Sequence, residues 1–152
     1  MYPSEEEVVL VSACLLGQPV RYNGHASADP ALVAALADKR VIPVCPEILA
    51  GLPTPRLPAE LCGGDGNAVL DGTAQVVDLS GQDVSAAYLA GAEATLALAQ
   101  QHGARRAVLK ENSPSCGCSR VYDGRFCNAK AAGQGVTAAL LRRHGIEVEG
   151  RG

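Results

Sequence analysis

Six cysteines are the residues of this 152-residue chain with the most chemistry to offer, and three of them share a setting. Cys14 follows the apolar run 8–13, Cys45 follows the run 41–44, and Cys116 lies in the loop after 107–109. Each run reads as a short, buried strand. In a parallel sheet the carboxyl ends of the strands face one edge, and ligands bind in the crevice there. A lone cysteine beside a strand is usually a small buried hydrophobe. Recurrence at three strand ends is harder to assign to packing. Two of the three also sit among poor core formers, Cys45-Pro46-Glu47 and Ser113-Pro114-Ser115-Cys116-Gly117.

The donor types narrow the chemistry. No Cys-x-x-Cys pair occurs, so the usual spacing of zinc ribbons and fingers is absent. His102 and His144 each precede a glycine at a helix end, where an imidazole suits the negative end of the helix dipole. That leaves His25, in a loop, as a weak ligand candidate. Structural zinc wants four closed positions, whereas three thiolates suit an iron–sulfur cluster with one iron left open. An open iron acts as a Lewis acid. Glu47, two residues from Cys45, is a candidate general acid or base. Ser113 and Ser115 are candidate donors to a developing negative charge, and Arg56 is a candidate to close over a ligand. Cys118 is a candidate second thiol at the same rim. Cys62 and Cys127 read as packing or surface thiols.

The elements that must position these residues alternate between strand and helix. Asp29-Pro30 starts a helix, with Asp at the N-cap and Pro at the first helical position, and Leu32, Val33 and Leu36 form its apolar stripe. The run 41–44 is the second strand despite Pro43, which cannot donate to a ladder. The segment 46–58, with its four prolines, reads as a stiff loop, and 68–79 as a β-excursion bent at Asp71-Gly72. The longest helix spans 85–101, with Leu89, Ala92, Leu96 and Ala99 at helical spacing and Gly103 as its stop. A third strand at 107–109, a hairpin around Asp123-Gly124, a helix over 135–144 and a last strand at 146–148 follow. This alternation predicts an α/β fold: one three-layer Rossmann-like domain over 1–152, with a mostly parallel sheet and helices on both faces.

Composition sets the outer bounds. Hydrophobic residues make up 47% and charged residues 19%, which predicts a packed core rather than disorder. Thirteen basic against sixteen acidic residues give a net charge of −3, and only five aromatics are present. Both observations argue against a large nucleic acid as partner. No apolar stretch is long enough to span a membrane, and the start is acidic where a signal peptide is basic. The expected location is the cytoplasm, where six cysteines do not imply a disulfide framework.

Several motifs together resemble a bacterial family long catalogued as a domain of unknown function, which includes the thiouracil desulfidases. They are Val11-Ser12-Ala13-Cys14-Leu15-Leu16-Gly17, Val20-Arg21-Tyr22-Asn23-Gly24, Cys45-Pro46-Glu47 and Gly51-Leu52-Pro53-Thr54-Pro55-Arg56. Gly63-Gly64-Asp65-Gly66, Leu109-Lys110, Ser113-Pro114-Ser115-Cys116-Gly117, Tyr122-Asp123-Gly124 and the run 135–141 complete the match along nearly the whole chain. The chain looks like the family's short, single-domain form, which acts on small thiolated bases. The resemblance implies a [4Fe–4S] cluster held by Cys14, Cys45 and Cys116, whose fourth iron is open to the sulfur of a thiocarbonyl. It also implies Glu47 as catalytic carboxylate and Ser113 as catalytic hydroxyl. Asn23 stands where the family more often has Asp and joins Arg56 and Ser115 as a candidate substrate contact.

The expected activity is removal of sulfur from a thiolated pyrimidine, of the 2- or 4-thiouracil type, by net hydrolysis to the oxo base and sulfide. Such a reaction consumes no electrons, in keeping with the absence of a Gly-x-Gly-x-x-Gly turn after the first strand. Two alternatives remain at this point. One is a cofactor-free hydrolase with Cys116 as nucleophile, which needs an activating base. The other is a small-molecule-binding α/β module without catalysis.

Overall fold

Alternate residues of the first strand face opposite sides, and both sides are apolar. In the computed structural model, which describes residues 7–126 and 130–152, Leu10 packs into one core and Val9 and Val11 into another. The third parallel strand repeats the division, with Ala107 and Leu109 on the first side and Val108 on the second. A strand buried on both faces belongs inside a layered α/β sheet.

The elements in chain order are β1 (Val8–Ser12), a 3-10 turn (Ala13–Leu16), α1 (Pro30–Ala35), β2 (Arg40–Val44), α2 (Pro46–Leu49), β3 (Ala59–Cys62) and α3 (Gly66–Leu70). They continue with β4 (Gln75–Asp78), α4 (Ser85–His102), β5 (Arg106–Lys110), β6 (Arg120–Tyr122), β7 (Lys130–Ala132), α5 (Val136–Arg143) and β8 (Glu147–Arg151). Strands β2, β1, β5 and β8 form a four-stranded sheet in that order, and all three pairings are parallel. Leu32 and Leu36, in and just after α1, cover one face, while Ala99 of α4 and Ala138 and Leu141 of α5 cover the other. Two antiparallel pairs, β3–β4 and β6–β7, lie outside this sheet.

The α/β class, the parallel sheet and the helices on both faces are as expected. Asp29 caps α1, its Oδ1 accepting the Leu32 amide at 3.0 Å. Val33 is exposed, so the stripe of that helix is narrower than its spacing suggests. Strand β2 tolerates Pro43 because it is the edge strand, paired on one side only.

Two expectations need correction. The proline-rich segment 46–58 is not all loop, because Pro46 occupies the first position of the short helix α2. The segment 68–79 is not all β: Asp65 caps α3 by accepting the amides of Asn67 and Ala68, and only β4 is extended. Strand β3, the partner of β4, lies between these two segments, where the sequence suggests no element. Cys127 falls outside the described residues. No helix among the described residues is long and apolar enough to cross a membrane.

Candidate active site

Strand polarity brings the three cysteines together. Cys14 is the second residue of the 3-10 turn after β1, Cys45 is the residue after β2 and holds the N-cap position of α2, and Cys116 lies in the loop after β5. Because β1, β2 and β5 are parallel, these positions share the carboxyl edge of the sheet. All three line one cavity of about 360 Å³, together with Glu47, Arg56, Ser113 and Tyr88. The cysteines among the described residues are free thiols.

Burial dominates the state of these thiols. It pushes Cys14 above its ordinary value, against the opposing pull of Lys110 and Arg21. Cys45 is raised by burial as well, and Cys116 is raised furthest, by burial and the nearby Cys45 and Glu47. Without a cofactor they stay protonated, and loading one must expel protons.

Glu47 is the most tightly held group in the cavity. It sits in the first turn of α2, its side chain 13% exposed, and Oε1 accepts the Tyr88 hydroxyl at 2.6 Å. Oε2 accepts from Nε of Arg56 at 2.9 Å and from Nη2 of the same guanidinium. Helix α2 can lie this close to α4 because residue 91 is glycine: a Cβ there would stand 2.2 Å from the Pro46 carbonyl oxygen. Tyr88 lies one turn before Gly91 on the same face, so the close approach also delivers its hydroxyl. Burial and the Glu47 charge push the Tyr88 hydroxyl well above its ordinary value, which leaves it a neutral donor.

Ser113 has a different assignment. Its Oγ accepts the amides of Ser115 at 3.0 Å and Cys116 at 3.1 Å, capping the turn that presents Cys116. Both lone pairs of the hydroxyl are then engaged, and its proton is what it has left to give.

The other anticipated residues separate. Arg56 reaches the cavity, but as the partner of Glu47. Ser115 does not line it; its hydroxyl is buried and shares a 2.7 Å hydrogen bond with Thr137. Asn23 does not line it either, and its side chain accepts the His25 amide in a local turn. Cys118 lies in the core against α5, its thiol donating to the Cys116 carbonyl, with burial and the Glu111 charge pushing it up to about 12. It is not a second thiol of the cavity.

The donor set can be tested for what it fits. No group of three His, Cys, Asp or Glu among the described residues is arranged to hold a metal ion. Thiolates bound to one ion at about 2.3 Å must crowd within about 4 Å of each other. A cluster binds each thiolate through a different iron and accepts a wider spread. No histidine among the described residues lines the cavity; its soft donors are the three thiols, beside the carboxylates of Glu47, Glu60 and Glu111, and thiolate sulfur suits iron–sulfur chemistry. A free Cys116 nucleophile fits poorly, because the thiol is held protonated and no imidazole stands by to activate it.

A model of the family described as 2-thiouracil desulfurase matches residues 9–150. The chain belongs to the 2-thiouracil desulfurase family. Among solved structures, a [4Fe-4S]-dependent thiouracil desulfidase, TudS, matches with a TM-score of 0.83 and 49% identity, covering 96% of this chain and 91% of that one. The uncharacterized protein YbbK of Bacillus subtilis (strain 168) is 48% identical over 141 residues, 93% of each chain.

Three features of this desulfurase-family cavity escape a reading of sequence. Tyr88 is one; a single aromatic residue in an Ala-rich helix was the available signal. Ser12 is another, a buried hydroxyl whose Oγ accepts the Lys110 amide at 3.0 Å and so ties the end of β1 to the end of β5. Glu60, only 7% exposed, is the third. Its Oε1 accepts the amides of Gly124 at 2.9 Å and Phe126 at 3.3 Å, fastening the turn after β6 over the cavity. An acidic residue between apolar neighbours of β3 was its only sign.

Proposed function

We propose that this chain removes sulfur from a small thiolated pyrimidine by net hydrolysis, giving the oxo base and sulfide. In this reading Cys14, Cys45 and Cys116 would hold a [4Fe–4S] cluster, leaving one iron without a protein ligand. The observation that carries it is the lining of one cavity by three thiols, a carboxylate and a hydroxyl, in a chain of the 2-thiouracil desulfurase family. When bound, the cluster supplies a Lewis-acidic iron suited to a soft thiocarbonyl sulfur.

The chain's own residues supply the rest. Glu47 takes a proton from a water whose oxygen attacks the thiocarbonyl carbon. Ser113, its oxygen saturated by two amides, donates its proton toward the charge that develops. A C–O bond forms and the C–S bond breaks. The proton held on Glu47 goes to the departing sulfur, and the second water proton, left on the new hydroxyl, follows it through Glu47 as the carbonyl closes, so thiobase and water become oxo base and hydrogen sulfide. No electrons change hands. The cavity volume, the net charge of −3 and the few aromatics support a free base or nucleoside over a large nucleic acid as substrate.

The test is direct. Anaerobically purified protein should carry iron and acid-labile sulfide and release sulfide from 2-thiouracil or 4-thiouracil. Replacing Cys14, Cys45 or Cys116 by serine should remove both cofactor and turnover, whereas Glu47→Gln should keep the cofactor and lose turnover. Protein that loads no iron, or that still turns over as Cys116→Ser, refutes the reading.

A further inference from the structure

We infer that Tyr88 is the positioning residue of the base, holding the Glu47 carboxylate so that a single acceptor site on Oε1 is open to a proton. The inference rests on the reading of Glu47 as the base.

A carboxylate offers about four acceptor sites, two on each oxygen. Arg56 fills both sites of Oε2 through Nε and Nη2. That guanidinium is itself tethered: Nη1 donates to the Pro53 carbonyl and the Thr54 hydroxyl, both at 3.1 Å, and Nη2 to the Val20 carbonyl at 3.0 Å. The Tyr88 hydroxyl fills one site of Oε1 at 2.6 Å. Among the described residues, nothing donates to the other. Water therefore has one place to deliver its proton, on the oxygen that Tyr88 grips.

The grip on both oxygens matters because of how glutamate rotates. Its terminal torsion is broad, so an arginine on one oxygen lets the carboxylate plane swing about that contact. A second donor on the other oxygen removes the swing. Helix α2 has only four residues and contributes little rigidity of its own. Tyr88, by contrast, projects from the first turn of α4, the longest helix among the described residues, and its ring is packed into a core with Val76, Ala92 and Val136. The longer helix thus fixes the catalytic group carried by the shorter one. Misplacing a reacting group by about 1 Å can cost about 100-fold in rate.

Tyr88→Phe keeps the ring and removes only the donor. The expected result is a kcat lowered about 10- to 100-fold with KM within about twofold. Iron and sulfide content should be unchanged, melting temperature should fall by no more than the loss of one hydrogen bond explains, and a crystal structure of the variant should show the Glu47 carboxylate turned from its present plane. Unchanged kcat, an unmoved carboxylate beside a lowered kcat, or a loss of cofactor in step with activity overturns the inference. The two readings fail differently. Turnover by Glu47→Gln removes the base itself, whereas a fully active Tyr88→Phe beside an inactive Glu47→Gln removes only the positioning role.

Discussion

Ser113 and Cys116 are joined by a 3.1 Å hydrogen bond in which the serine Oγ accepts the cysteine amide. The proposed acid–base chemistry and the proposed ligand therefore share one turn. Ser113→Ala removes a cap worth about 1 kcal/mol and, with it, the donor for the developing charge. Turnover should fall about 100-fold or more while most of the iron is retained. Ser113→Thr, which keeps the hydroxyl, should recover a large part of the rate. Iron content measured beside kcat separates the two roles, and an active Ser113→Ala removes the serine from the chemistry.

Gly91 makes a second prediction. A methyl group there would meet the Pro46 carbonyl at 2.2 Å, so Gly91→Ala must push α2 away from α4. Overpacking of this kind costs about 1–3 kcal/mol. The displacement also draws Glu47 out of reach of Tyr88, so activity per loaded cofactor should fall together with melting temperature. Thermal melting and sulfide release on the same preparation check both. Alanine at 91 without effect on either contradicts the close approach.

How much of this was legible beforehand depends on range. Cys14, Cys45 and Cys116 could be grouped because a residue's place after a parallel strand determines the edge it reaches, and strands declare themselves locally. Glu47 came with Cys45 by adjacency. Tyr88 did not, because helical spacing tells which face of α4 is buried and nothing about what lies across from it. The same limit hid the partner of Arg56, which is a carboxylate nine residues away and not a ligand. Ser115 misled for the opposite reason: its motif neighbours line the cavity, but the turn capped by Ser113 sends its side chain inward to Thr137. Helix α2 is too short to show a periodicity, and β3 is a four-residue strand whose partner follows thirteen residues later.

The buried Ser115–Thr137 pair yields a prediction about stability alone. Thr137→Val leaves the Ser115 hydroxyl without a partner in a fully buried position, at a cost of about 1–3 kcal/mol. Ser115→Ala combined with Thr137→Val removes both polar groups and should be markedly less destabilising than the two single changes summed. Chemical denaturation of the three variants measures the coupling. Turnover per loaded cofactor should stay near that of the parent protein; a large loss would return Ser115 to the substrate.

Glu111 governs how the Cys116 loop responds to acid. Burial raises its carboxyl, but the Ser119 hydroxyl and the amides of Ser119, Cys118 and Arg120 outweigh that and hold it below its ordinary value of 4.5. Its Oε1 accepts the Cys118 amide at 2.8 Å, and Oε2 the Ser119 hydroxyl at 2.7 Å, just after the turn that carries Cys116. A carboxyl with a lowered folded-state value contributes its stability in full above its unfolded value and loses it as pH falls through the folded one. Glu111→Gln should therefore lower stability at neutral pH, where the parent carboxylate is charged. The gap between the two proteins should close as pH drops below about 4.5. Melting temperature followed from pH 7 into that acid range checks the sign, and a gap that widens on acidification would show that the loop is not held by the charged form.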